Sequence, residues 1–129
     1  MSALTNAFMS RKSFLHGKGV TSEQIAEAEN QLGLSFSDEY REYLTAYGIA
    51  AYDGHELTGI TKSDRLNVVA VTAEARKNQS GIPDNFYVIE GVGIEELVIW
   101  QNEQGEIYGC APNFKLEKIS DSLHDYIAK

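Results

Sequence analysis

Apolar positions along this chain repeat with two different periods, and the change falls near Gly48. Before it, Ile25, Ala28 and Leu32 recur at helical spacing. Tyr40, Tyr43, Leu44 and Tyr47 do so again, with Phe36 extending that second stripe backward. Residues three and four apart share one helix face, so each stripe predicts an amphipathic helix that buries it. The intervening polar residues mark the ends. Thr21 and Gln24 have capping-box spacing. Ser37 can cap the second helix, with Asp38 and Glu39 beside the positive end of its dipole. Gly33 and Gly48 stand where a glycine lets the chain leave a helix in a left-handed conformation. Upstream, Leu4, Phe8 and Leu15 form a weaker stripe that Gly17-Lys18-Gly19 interrupts. Residues 1–19 are therefore a short helix or a flexible arm.

Beyond Gly48 the pattern turns to short apolar runs between turn signals. Asp53-Gly54 is a turn, and Leu57 to Ile60 is a strand candidate. Val68, Val69 and Val71 suggest a strand, whereas Thr72 to Asn78 suggests a helix. A strand followed by a helix and a single helix from Asn67 both fit. Phe86 to Glu90 is the best central-strand candidate. Glu96 to Trp100 and Glu106 to Cys110 form a hairpin around a polar loop, and Phe114 to Lys118 can add an edge segment. Ile119, Leu123, Tyr126 and Ile127 make the apolar face of a closing helix, with Ser120 as its expected cap. No strand–helix–strand alternation recurs, so a parallel sheet is not expected. The reading is α+β: one domain spanning 1–129, an antiparallel sheet of about four to six strands, and helices packed on one face.

Composition narrows the function classes. An apolar fraction of 43% over 129 residues is enough for a core without metal or disulfide staples. The lone Cys110 cannot form an internal disulfide, the start shows no secretory leader, and no apolar run approaches membrane-spanning length. A cytoplasmic location without membrane attachment is expected. Eleven basic against nineteen acidic side chains leave a net charge of −8. Such a surface repels nucleic acid and favours a basic protein partner, although solubility alone would also account for it.

Candidate chemistry is sparse. His16, His55 and His124 show no metal-ligand spacing. Cys110 has no adjacent base to activate it, and a buried thiol is the simpler reading. Gly91-Val92-Gly93 follows a strand but lacks the third glycine and the helix of a dinucleotide fingerprint. Asp53, His55 and Glu56 lie together after a turn and could hold a cation weakly, but a solvated loop explains them as well. Neither an enzyme nor a cofactor is expected.

The stretch Ile25, Glu29, Leu32-Gly33, Tyr40, Tyr43-Leu44, Tyr47-Gly48 resembles the signature of the SUKH superfamily. That group includes fungal cell-wall assembly regulators and many bacterial immunity proteins. Phe36-Ser37 stands where the family usually has Leu-Pro, which keeps the apolar anchor and exchanges a pre-set φ for a hydroxyl cap. The order of elements agrees over about residues 8 to 128. The resemblance implies an immunity protein that binds and blocks a cognate toxin domain, often a nuclease. A regulatory or scaffold domain of the same superfamily is the alternative, and a small enzyme using Cys110, His55 or Asp53 is a third reading. The expected state is a monomer or a weak homodimer. Helices on one face leave the other side of the sheet partly open. Alternation in the hairpin points some of Tyr87, Trp100 and Tyr108 toward it, beside Asp53, Glu56, Glu96, Glu103 and Glu106. Aromatics rimmed by acids make a partner patch, with Trp100 as a core residue the competing reading.

Overall fold

The computed structural model describes residues 2–92, 97–111 and 115–129. Helix α1 (Ala3–Met9) leads into strand β1 (Leu15–His16), then α2 (Ser22–Leu32) and α3 (Asp38–Tyr47). A hairpin of β2 (Ala50–Tyr52) and β3 (His55–Glu56) precedes α4 (Val68–Asn78). Strands β4 (Tyr87–Val92), β5 (Leu97–Gln101), β6 (Ile107–Cys110) and β7 (Glu117–Ser120) follow, and α5 (Leu123–Ala128) ends the chain. The fold is α+β with two antiparallel sheets, one ordered β1-β2-β3 and one ordered β4-β5-β6-β7.

The helix signals perform as their chemistry requires. The Gln24 amide donates to Thr21 Oγ1 at 3.2 Å, and the Thr21 amide donates to Gln24 Oε1 at 2.9 Å, which is the reciprocal box. Gly33 adopts the left-handed conformation (φ 69°) at the end of α2. The Tyr40 amide donates to Ser37 Oγ at the start of α3. The ambiguity at 67–78 resolves into one helix. Asn67 Oδ1 accepts from the Val69 and Ala70 amides, and this cap sets the valines that follow into helical backbone. The Asp53-Gly54 turn has φ of 46° and 84°, the paired positive values that join β2 to β3.

Several expectations are corrected. Leu15 belongs to β1 rather than to the first helix. Leu57 to Ile60 is no strand, and it makes only two isolated bridges, Leu57 to Glu90 and Gly59 to Asn67. Ser120 ends β7, while Ser122 caps α5 by accepting from the Asp125 amide. Ile119 consequently lies in β7 and is partly exposed instead of lining α5. Part of the predicted edge segment, from Phe114, lies outside the described residues.

β4 is not central but forms an edge of the four-stranded sheet. It reads as a buried strand because its outer edge is closed by the Thr58 backbone and the side chains of Thr58 and Thr72. The Thr58 amide donates to Ile89 O, Thr58 Oγ1 donates to Val88 O, and the Val88 amide donates to Thr72 Oγ1. Such cover removes the open backbone of an edge strand.

The helices are not all on one side. Tyr87, Ile89, Ile99 and Ile107 join residues of α1, α2, α3 and α5 in the larger core. Phe86, Val88, Trp100 and Cys110 form a second cluster with Ala75 of α4, and Val71 packs against it. Val68, one turn before Val71, belongs to the first cluster, and Val69 packs against it. Helix α4 therefore straddles the β4 edge and covers part of the face expected to be open.

Candidate functional site

The acids and aromatics predicted to form a partner patch separate into three environments. Tyr87 and Trp100 are fully buried. The Tyr87 hydroxyl accepts from the Ser37 amide at 3.0 Å and lies 2.9 Å from Gln101 Oε1. Trp100 Nε1 donates to Gln79 Oε1 at 3.1 Å beneath the end of α4. Neither ring is at the surface, which corrects their placement on an open sheet face. Tyr87 points into the first core because it pairs with Gln101, and Trp100 points the other way, where α4 rather than solvent meets it. Tyr108 pairs with Trp100 across β5–β6 and is half-buried, its ring 5.1 Å from Phe86.

The acids stay at the surface but are mostly engaged. Asp53 pairs with Arg11 at 2.7 Å. Glu56 and Arg65 form a two-pronged pair at 2.9 and 3.2 Å, and the bonds from Arg65 hold the Glu56 carboxyl below the usual range. Glu106 accepts from Asn102 Nδ2 at 2.9 Å and pairs with Lys118 at 3.0 Å, and these contacts lower its carboxyl as well. Glu103 is exposed in the β5–β6 turn without an ion pair among the described residues. Glu96 lies outside the described residues. The structure therefore does not assemble these residues into one patch.

Two features escaped the sequence reading. The first is Glu90, which is 3% exposed. Its carboxylate meets His55 Nδ1 at 2.7 Å and accepts from the Tyr126 hydroxyl at 2.5 Å. The Tyr52 ring stacks on His55 at 5.0 Å, and the Arg11 guanidinium sits over Tyr52. Burial, and then the hydrogen bond to Glu90, push the Tyr126 hydroxyl far up; burial does the same to Tyr52. This cluster ties the small sheet, the large sheet and α5 together. An acid inside the apolar run Phe86 to Ile89-Glu90 was the visible signal. Among the described residues no group of three or more His, Cys, Asp or Glu side chains is arranged to hold a metal ion. Cys110, 5% exposed, lies in the second cluster, on the opposite face of the sheet from the Glu90–His55 pair, and burial pushes its thiol up.

The second feature is the distribution of charge. Residues 21–47 carry six carboxylates against one guanidinium. Of these, Glu29 is held by Arg41 at 2.7 Å. Glu39 accepts from the amides of Leu123 and His124 and contacts His124 Nδ1 at 2.8 Å, so it caps α5 from another helix. Glu23, Glu27, Asp38 and Glu42 are exposed. Glu23 with Glu27, and Asp38 with Glu42, place like charges four apart on one helix face, which costs stability.

Residues 4–129 match the SUKH_5 family model, described as SMI1-KNR4 cell-wall. The chain belongs to this SUKH family. A crystal structure of a protein from Pseudomonas syringae pv. tomato shares the fold, with a TM-score of 0.75 over 96% of this chain and 92% of that one, at 18% identity. No curated protein is a significant match. The residues that carry the SUKH resemblance are architectural here. Ile25, Leu32, Tyr40, Tyr43 and Leu44 are all buried, and Gly33 and Gly48 end their helices at positive φ. No helix among the described residues is long and apolar enough to cross a membrane.

Proposed function

We propose that this SUKH protein is an immunity protein, which binds a cognate toxin domain and neutralises it by covering its active cleft. The observation that carries the reading is the set of exposed carboxylates on α2 and α3, where like charges stand one turn apart and, among the described residues, only Asp38 has an ion-pair partner, Arg41 at 3.7 Å. Carboxylates retained at a cost to the helix are explained by a cationic partner. A nuclease presents a basic channel to its substrate, and a surface of fixed carboxylates can occupy that channel in place of phosphates. The same field speeds encounter, and salt weakens it. The chain acts by binding rather than by catalysis and needs no cofactor. Nucleic acid itself is a poor ligand for a surface of net charge −8.

Relative to the sequence reading, the favoured surface moves from the strands to the helix pair. The description of the matched family, SMI1-KNR4 cell-wall, favours a second reading, in which the same acidic face serves a regulatory scaffold. One experiment separates them. The chain is co-expressed with the toxin encoded beside its gene, and the purified pair is tested by surface plasmon resonance at low and high salt. Rescue of growth, with an on-rate that falls steeply as salt rises, supports the immunity reading. Absence of both rescue and binding removes it and leaves the scaffold.

A further inference from the structure

The small sheet has two unlike faces. Tyr52 and His55, a cross-strand pair, turn inward toward Glu90. On the outward face Leu15, Ala51 and Glu56 form a row in register across β1, β2 and β3. Leu15 is 69% exposed, the most exposed large apolar side chain among the described residues. Beside the row lies an open groove of about 290 Å³, lined by Leu15, Ile49, Ala51, Glu56 and Leu66 among others. At its end the Glu56 and Arg65 side chains, 51% and 66% exposed, face each other.

We propose that this face is where a second copy of the chain docks, about a two-fold axis. Three observations select that occupant. A two-fold contact uses one patch twice, so the patch must contain both halves of each interaction. This one does: Leu15 is a knob beside a groove able to take a leucine side chain, and Glu56 and Arg65 are opposite charges at its rim. Each copy inserts Leu15 into the groove of the other. Glu56 of one copy meets Arg65 of the second, and the reverse contact forms as well. Exposed ion pairs are weak, so exchanging the two internal pairs, one in each copy, for two between copies costs little. The patch is also suited to like-charged molecules. Each copy carries −8, and two copies repel wherever carboxylates are in surplus. The rim of this groove balances one carboxylate with one guanidinium, unlike the exposed face of α2 and α3. A basic toxin domain finds its complement on those helices, so both contacts can form at once.

Sedimentation equilibrium over a wide range of loading concentrations tests the proposal. The expected result is a monomer–dimer equilibrium with Kd on the order of 100 μM, tightened by added salt because screening relieves the repulsion between copies. Leu15→Asp should weaken the dimer by more than about tenfold, since it removes two buried leucines from the contact. Glu56→Arg should weaken it, and Glu56→Arg combined with Arg65→Glu should restore it. These side chains are exposed, so circular dichroism should show every variant folded. A monomer at all concentrations overturns the proposal, as does a dimer indifferent to Leu15→Asp. Loss of toxin binding in Leu15→Asp with no self-association assigns the face to the toxin and likewise overturns it.

Discussion

Glu29 on α2 holds Arg41 on α3. Glu29 Oε2 accepts from Arg41 Nη2 at 2.7 Å and from Arg41 Nε at 3.1 Å, and it also accepts the Phe36 amide at 2.7 Å. One carboxylate thus fixes the bend between two helices and satisfies an amide in the connection. Glu29→Ala removes all three bonds and leaves Phe36 N–H without its acceptor. Urea denaturation should show a loss of about 1–3 kcal/mol. Glu29→Gln, which keeps one acceptor oxygen, should lose less. An unchanged midpoint for Glu29→Ala would refute the role given to this pair.

Gly59 sits where the backbone of the small sheet passes the end of α3. A Cβ placed on it would lie 1.8 Å from Gly48 O, while the Ile60 amide donates to that same carbonyl at 3.0 Å. Backbone cannot retreat as a side chain can. Gly59→Ala should therefore destabilise by about 3 kcal/mol or more, or fail to fold. Gly81→Ala, where nothing lies within 4 Å but φ is 79°, is the control with strain and no clash, and its loss should be smaller. Thermal melts of the two variants check the ranking.

Trp100 should behave as a core residue. Its ring is sealed beneath α4, so its fluorescence should be blue-shifted, resistant to iodide quenching, and unchanged when a partner binds. Trp100→Ala should cost about 3–5 kcal/mol through the cavity it leaves. A red-shifted emission that responds to the toxin would return this residue to the interface.

Alkali should unfold the protein cooperatively. Burial pushes the hydroxyls of Tyr40, Tyr43 and Tyr87 well above the ordinary tyrosine value. Their neutral forms are favoured in the folded state. The stability they contribute is complete below the unfolded-chain value near pH 10 and declines as pH rises beyond it. Tyrosinate absorbance and far-UV circular dichroism, followed together, should change in one transition above about pH 10 for these three residues. Ionisation of all tyrosines with the helix signal intact would contradict their burial.

Glu27 offers a separation of stability from binding. Glu27→Lys turns the repulsion with Glu23 into an attraction one turn apart, worth a few tenths of a kcal/mol, about 0.2–0.5. The variant should be as stable as the parent or slightly more so. It should associate more slowly with a basic toxin domain, with the difference vanishing at high salt. Stopped-flow mixing at two salt concentrations measures this. A faster or unchanged on-rate at low salt would take α2 out of the proposed surface.

The sequence by itself determined the local structure. Caps, glycines and helical stripes are contacts between residues a few positions apart, so Thr21-Gln24, Ser37 and Gly33 could be read directly. The helix–Leu-Gly–helix unit, the turn at Asp53-Gly54 and the antiparallel β5–β6 pair follow from the same short range. The tertiary structure alone decided which face each buried residue would meet. The cross-strand register places Tyr87 and Trp100 on opposite sides of the sheet, and only the path of α4 across the β4 edge makes both sides interior. The tyrosine stripe of α3 was legible as core. That its hydroxyls end on Thr58, with Tyr43 donating to its carbonyl at 2.6 Å and Tyr40 2.9 Å from its Oγ1, was not. Nor could spacing join Glu90 to His55, or Glu39 to the amides that open α5. Those contacts span dozens of residues, and only a closed fold brings the two ends of each together.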